Sequence, residues 1–142
     1  MGMIGLFAGV ATAAAMVLAG SIASAAPVDA QPYVRIAELE IDQRRLDEYK
    51  AILAVEQEAS VREEPGVVML HSVALKDRPN QIRLLEVYAS RSAYEAHVKS
   101  PHFLRYKETT ADMVLSLNLI DTDPILLCAK VPAKDGTFAN CE

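Results

Sequence analysis

The chain predicts a single α+β domain with the order strand, helix, strand, strand, helix, strand, in which one antiparallel sheet is covered by helices on one face. Three features predict it. Apolar and polar residues alternate toward the end of Tyr33 to Ile41, and apolar residues recur at three- and four-residue steps from Gln43 to about Glu63. Two further apolar runs then flank turn-forming residues at Asp77 to Asn80. No internal repeat follows the leader, so one core is expected.

In the first strand Ala37, Leu39 and Ile41 share one face, with Glu38 and Glu40 on the other. Asp42 is the expected N-cap of a long helix whose buried side carries Leu46, Tyr49, Ile52, Leu53 and Ala59. Glu64-Pro65-Gly66 stops that helix, because Pro65 cannot continue the hydrogen-bond ladder and Gly66 accommodates a tight exit. Val67 to Lys76 and Gln81 to Ala89 are rich in β-branched and large apolar residues, and Asp77-Arg78-Pro79-Asn80 joins them as a hairpin. Pairing Lys76 with Gln81 places His71 opposite Glu86 and Met69 opposite Tyr88. Ser90 caps a short helix carrying Ala93, Tyr94, His97 and Val98, and Ser100-Pro101 ends it and starts the next turns. Phe103, Tyr106, Thr110, Met113 and Val114 continue at helical spacing. Leu115 to Leu127 alternates as a last strand that bends at Pro124. The order is the ferredoxin-like plan. Val34, Ile36, Val68, Leu70, Leu85 and Val87 form a second apolar set, so the face away from the helices also needs cover. A homodimer with its two sheets face to face supplies it.

The first charged side chain is Asp29. Ile4 to Ala19 reads as the apolar stretch of a signal peptide, and Ala23-Ser24-Ala25 as its cleavage site, giving a signal peptide over residues 1–25. An uncleaved anchor is the rival, since about 20 apolar residues span a bilayer. Cleavage leaves about 117 residues, enough for one compact domain over 33–127 and a short tail over 128–142. The protein is then expected in the periplasm or secreted, with no stable membrane association. The net charge of −5 and the lack of a basic run set nucleic acid aside as a partner. In an oxidising compartment Cys128 and Cys141 are candidates for a disulfide that pins the tail.

Residues 84–106, LLEVYASRSAYEAHVKSPHFLRY, hold half of the aromatic side chains and two of the three histidines. Four candidates for catalysis emerge from this segment and the preceding strand. Glu86 opposite His71 would fix the tautomer of that imidazole, the two Cβ atoms being about 5 Å apart in such a pair. His102, in the first turn of a helix, sits where the dipole disfavours the imidazolium, so a neutral ring can accept a proton. His97 lies just before the break and is placed to line the same cleft. Tyr88, Tyr94, Phe103, Tyr106 and Met69 would supply its walls. Taken singly, each of these residues also fits a purely structural place in the core. No HxH, HxxxH or HExxH pair is present, which argues against a metal site, and no phosphate loop, GxSxG elbow or CxxC motif appears. A site that works without a cofactor is left.

The stretches EEPGVVMLHSV and LLEVYASRSAYEAHVKSPHFLRY resemble the antibiotic biosynthesis monooxygenase domain family, including its quinol monooxygenase-like members, with the resemblance extending over about residues 33 to 127. The resemblance implies a dimeric ferredoxin-like α+β barrel and oxidation of a small phenolic or quinol substrate by O2 without flavin, haem or metal. Other members of the family are isomerases, so an isomerase or tautomerase of the same fold is the alternative, and a periplasmic dimer that binds a small ligand without turning it over is the third.

Overall fold

The computed structural model describes residues 31–128. Four strands and three helices alternate as the sequence predicts: β1 (Tyr33–Ile41), α1 (Leu46–Glu63), β2 (Val67–Leu75), β3 (Arg78–Tyr88), α2 (Arg91–His97), α3 (Pro101–Thr109) and β4 (Val114–Thr122). The strands form one antiparallel sheet in the order β2-β3-β1-β4, the ferredoxin-like arrangement. Among the described residues, no helix is long and apolar enough to cross a membrane. The expected signal peptide over 1–25 and the far half of the Cys128–Cys141 pair lie outside the described residues.

The core lies between the sheet and the helices. Ala37, Leu39 and Ile41 of β1 and Ile82 and Leu84 of β3 pack against Leu46, Tyr49 and Leu53 of α1, with Tyr106 and Met113 closing the layer. Capping follows the sequence closely. Asp42 accepts from the Arg44 N–H and opens a short 3-10 turn over Gln43–Arg45, so regular α-helix starts at Leu46, later than the expected Gln43. Ser90 accepts from the Ala93 N–H to start α2, and Ser100 accepts from the Phe103 N–H to start α3, with Pro101 as its first residue.

Three further boundaries differ from expectation. The helix after Pro101 ends at Thr109, because Thr110 caps it and Met113 instead hands its carbonyl to the Asp42 N–H. The last strand stops at Thr122 rather than running through Pro124; Thr122 pairs with Val34, at the start of β1, and Pro124 has no N–H to offer further pairing. The hairpin turn is the third and matters most. It is made by Lys76 and Asp77, with Leu75 opposite Arg78. Ala74 then pairs with Ile82, so Pro79, Asn80 and Gln81 have no partner on β2. This bulge absorbs the proline and moves the register by one residue.

His71 consequently faces Leu85, and it is Leu70 that faces Glu86. Met69 faces Val87 rather than Tyr88. His71 is exposed on the sheet face opposite the helices, where Val34, Ile36, Leu85 and Val87 also lie, whereas Leu70 turns to the helix side. The expected His71–Glu86 and Met69–Tyr88 pairs are therefore not formed.

Candidate active site

Between the sheet and the α2–α3 corner lies a cavity of about 410 Å³, within the range of small-molecule sites. Its floor is the helix-facing side of β1 and β3, where alternation brings Arg35, Glu86 and Tyr88 to one surface. Its roof is Tyr94 and His97 of α2 and Phe103 and Tyr106 of α3. Leu115, Leu117 and Leu119 of β4 form a wall that is open to solvent.

His97 is the chemical centre of this cavity. It is 3% exposed and packed among rings, with centroids 5.3 Å from Tyr88, tilted, and 4.7 Å from Phe103, edge-on. Its Nδ1 lies 3.0 Å from Glu64 Oε1, and the same oxygen lies 2.5 Å from Nε2 of His102. Burial alone would raise the Glu64 carboxyl, but hydrogen bonds and charge from His97 and His102 outweigh it and hold the group below its ordinary value. An ionised carboxylate only accepts, so both imidazoles donate to it. In a neutral His97 the proton therefore sits on Nδ1, and Nε2 carries the lone pair. That nitrogen lies 3.9 Å from the carboxylate of Glu56, which is 6% exposed and accepts from Ser60 Oγ at 2.7 Å.

Two more acids are tuned by burial. Glu56 and Glu86 are both raised above the ordinary carboxyl value, desolvation being the largest cause in each and outweighing nearby cations. Tyr88, whose hydroxyl donates to Glu86 Oε2 over a long 3.4 Å, is raised strongly by its burial and by that carboxylate. Tyr106 is raised likewise and shares a 2.6 Å hydrogen bond with the hydroxyl of Tyr49, so its polar end is committed to the core. The cavity thus combines a lone pair on His97 with two carboxyl groups whose protonated form burial favours, an arrangement suited to moving a proton off one substrate atom and supplying one to another.

Glu64, His97 and His102 also present one ligand atom each within 4.8 Å of one another, the donor set of a divalent metal. The 3.0 Å contact to His97 is that of a donated hydrogen bond, and the closer contact to His102 is made to the same carboxylate oxygen. The triad is satisfied as a hydrogen-bonded unit.

A family model for antibiotic biosynthesis monooxygenases matches residues 32–109. The chain belongs to that family. A crystal structure named provisionally as an antibiotic biosynthesis monooxygenase, from Bacteroides thetaiotaomicron, is 50% identical and superposes with a TM-score of 0.65, covering 66% of this chain and 90% of that one. A provisionally named monooxygenase from Lactobacillus acidophilus is 32% identical with a TM-score of 0.61, over 64% of this chain but 44% of that longer one. A family protein from Nitrosomonas europaea, 24% identical with a TM-score of 0.63 over 66% of this chain and 90% of that one, shares the fold. Comparison with curated proteins finds no match. Membership supports a general monooxygenase-like role.

Of the expected site residues, His97, Glu86, Tyr88, Tyr94, Phe103 and Tyr106 line the family member's cavity together. His102 stands behind it, joined to His97 through Glu64, while His71 and Met69 lie on the other face of the sheet. Three residues escaped the sequence reading: Glu64, taken only as part of a helix stop, and Glu56 and Arg35. The last two had a signal. Glu56 falls on the buried face of α1 with Tyr49, Leu53 and Ser60, and Arg35 alternates with Ala37 and Leu39 on the core face of β1. A charged residue at such a position costs stability unless it has a use or a partner.

Proposed function

We propose that this protein is a cofactor-independent monooxygenase that oxidises a small phenolic or quinol substrate with O2, as a homodimer exported to the cell envelope. The observation that carries the reading is the Glu64–His97 pair, which leaves Nε2 of a buried imidazole as a base in an aromatic-lined cavity. In this reading His97, not His102, removes the phenolic proton. The electron-rich anion then reacts with O2 directly. For a quinol, one oxygen atom enters the ring and the other leaves as water, giving a hydroxyquinone with all four electrons supplied by the substrate. In this reading Glu56 and Glu86, whose protonated forms burial favours, return protons to the departing oxygen, and the ring packs among Tyr88, Tyr94 and Phe103.

One observation favours the alternative of an isomerase or tautomerase. A base on His97 only 3.9 Å from the acid Glu56 suits a proton shuttle within a dicarbonyl, which consumes no oxygen. An oxygen electrode separates the two: uptake dependent on a quinol supports the monooxygenase, and conversion of substrate without uptake supports the isomerase.

A further inference from the structure

We infer that Arg35 forms an anion subsite at one end of the cavity, so that the preferred substrate is a phenol or quinol bearing a carboxylate. This rests on the proposed aromatic substrate but concerns how it is held. Arg35 is 8% exposed and lines the cavity from β1, beside Glu86 and under the ring of Tyr94, whose centroid is 4.7 Å from its Cζ. A buried guanidinium offers five N–H donors and is costly to bury unless they are used.

Its partners use them only in part. Nη1 donates to the Tyr94 hydroxyl, a neutral acceptor. Nε forms an ion pair with Asp121 Oδ1 at 3.0 Å but is not aligned to hydrogen-bond it, and it is a buried donor without a hydrogen bond. Asp121 is itself poorly placed to neutralise the charge: its side chain is 64% exposed, and the same Oδ1 accepts from Tyr33 at 2.8 Å. Water therefore competes for Asp121 and weakens its hold on the buried guanidinium. Glu86, the other nearby carboxyl, is driven toward its neutral form by burial. The guanidinium thus lines the cavity with one largely exposed carboxylate, Asp121, as its ion-pair partner and Glu86 as its other acidic neighbour.

A ligand carboxylate matches this guanidinium, because planar guanidinium and carboxylate pair through two parallel hydrogen bonds. Tyr88 and Tyr94 bridge the rest of the cavity. Their rings are 5.4 Å apart, and Tyr88 is 5.3 Å from His97, so an aromatic ring held at Arg35 by its carboxylate lies along the tyrosines toward the base. Gln57 Nε2, a second buried donor on the cavity wall without a hydrogen bond, would meet another oxygen of such a ligand.

The test is anaerobic calorimetric titration of the protein with two probes, 2,5-dihydroxybenzoate and hydroquinone, which differ only by the carboxylate. The first should bind about tenfold or more tightly, the factor expected for one charge-assisted contact. Arg35→Gln should reduce the two affinities to parity, the loss falling on 2,5-dihydroxybenzoate. Asp121→Asn, which keeps the guanidinium and removes its competing acid, should increase the preference. Equal affinities in the native protein, or a preference that survives Arg35→Gln and ignores Asp121→Asn, overturns the subsite. Oxygen uptake is read separately, so Arg35-dependent binding without uptake upholds the subsite while removing the oxygenase reading, and uptake that is indifferent to the carboxylate does the reverse.

Discussion

A carboxylate oxygen accepts and never donates, so Glu64 decides which nitrogen of His97 carries the proton. Glu64→Gln removes that decision, since an amide can turn either its oxygen or its NH2 toward the ring. We expect turnover to fall by about tenfold or more with little change in substrate affinity, and the acid limb of the pH–rate profile to move; stopped assays across pH check both. His102→Ala leaves Glu64 one of its two donors and should reduce turnover less. An unchanged profile in folded Glu64→Gln would remove the pair from the mechanism. Sequence made the histidines of the α2–α3 corner visible, because Ser100-Pro101 announces a break beside them. What joins them was not visible: Glu64 lies over thirty positions away, and no local pattern signals contact at that separation. His71 went the other way. Its expected partner depended on a register that the bulge at Pro79 to Gln81 shifts, and one step in a strand exchanges its two faces.

The elements hold this corner by close approach. A Cβ placed on Gly66 would come within 2.5 Å of Ala93 Cβ, so the exit of α1 and the start of α2 touch with no room for a side chain. Gly66 is required here for space. Gly66→Ala should cost about 1–3 kcal/mol, read by denaturant unfolding, and should disturb His97, which lies one turn beyond Ala93 on α2. The strand and helix order was fully legible because alternation, helical recurrence and the serine caps agree with one another. The ends of elements were less so. Where the α3 segment gives way to β4, tertiary hydrogen bonds from Asp42 to Met113 and from Arg45 to Asp112 accompany the exit, and sequence does not display them.

At the scale of the molecule, the face away from the helices leaves Leu85 39% and Ile120 37% exposed, with Val73 beside them. The proposed homodimer covers this face, and Leu85→Glu should convert a dimeric mass in light scattering to a monomeric one; a monomer in the native protein contradicts it. Stability should depend on pH through the cavity acids. Burial favours neutral Glu86, so its contribution is complete below the ordinary value of 4.5 and is lost as pH rises through the raised folded value. Glu64 acts oppositely, its contribution being present above 4.5 and lost on acidification. Glu86→Gln should therefore raise the Tm more at neutral pH than in acid, as differential scanning would show. The most direct measurement of the central claim is oxygen uptake by the metal-stripped protein across quinols and polyphenols, with isotopically labelled O2 and with His97→Gln beside it. The expected result is quinol-dependent uptake with one labelled atom in the product, falling about 10²- to 10⁴-fold in the variant. Substrate conversion without uptake, or uptake indifferent to His97, would contradict it.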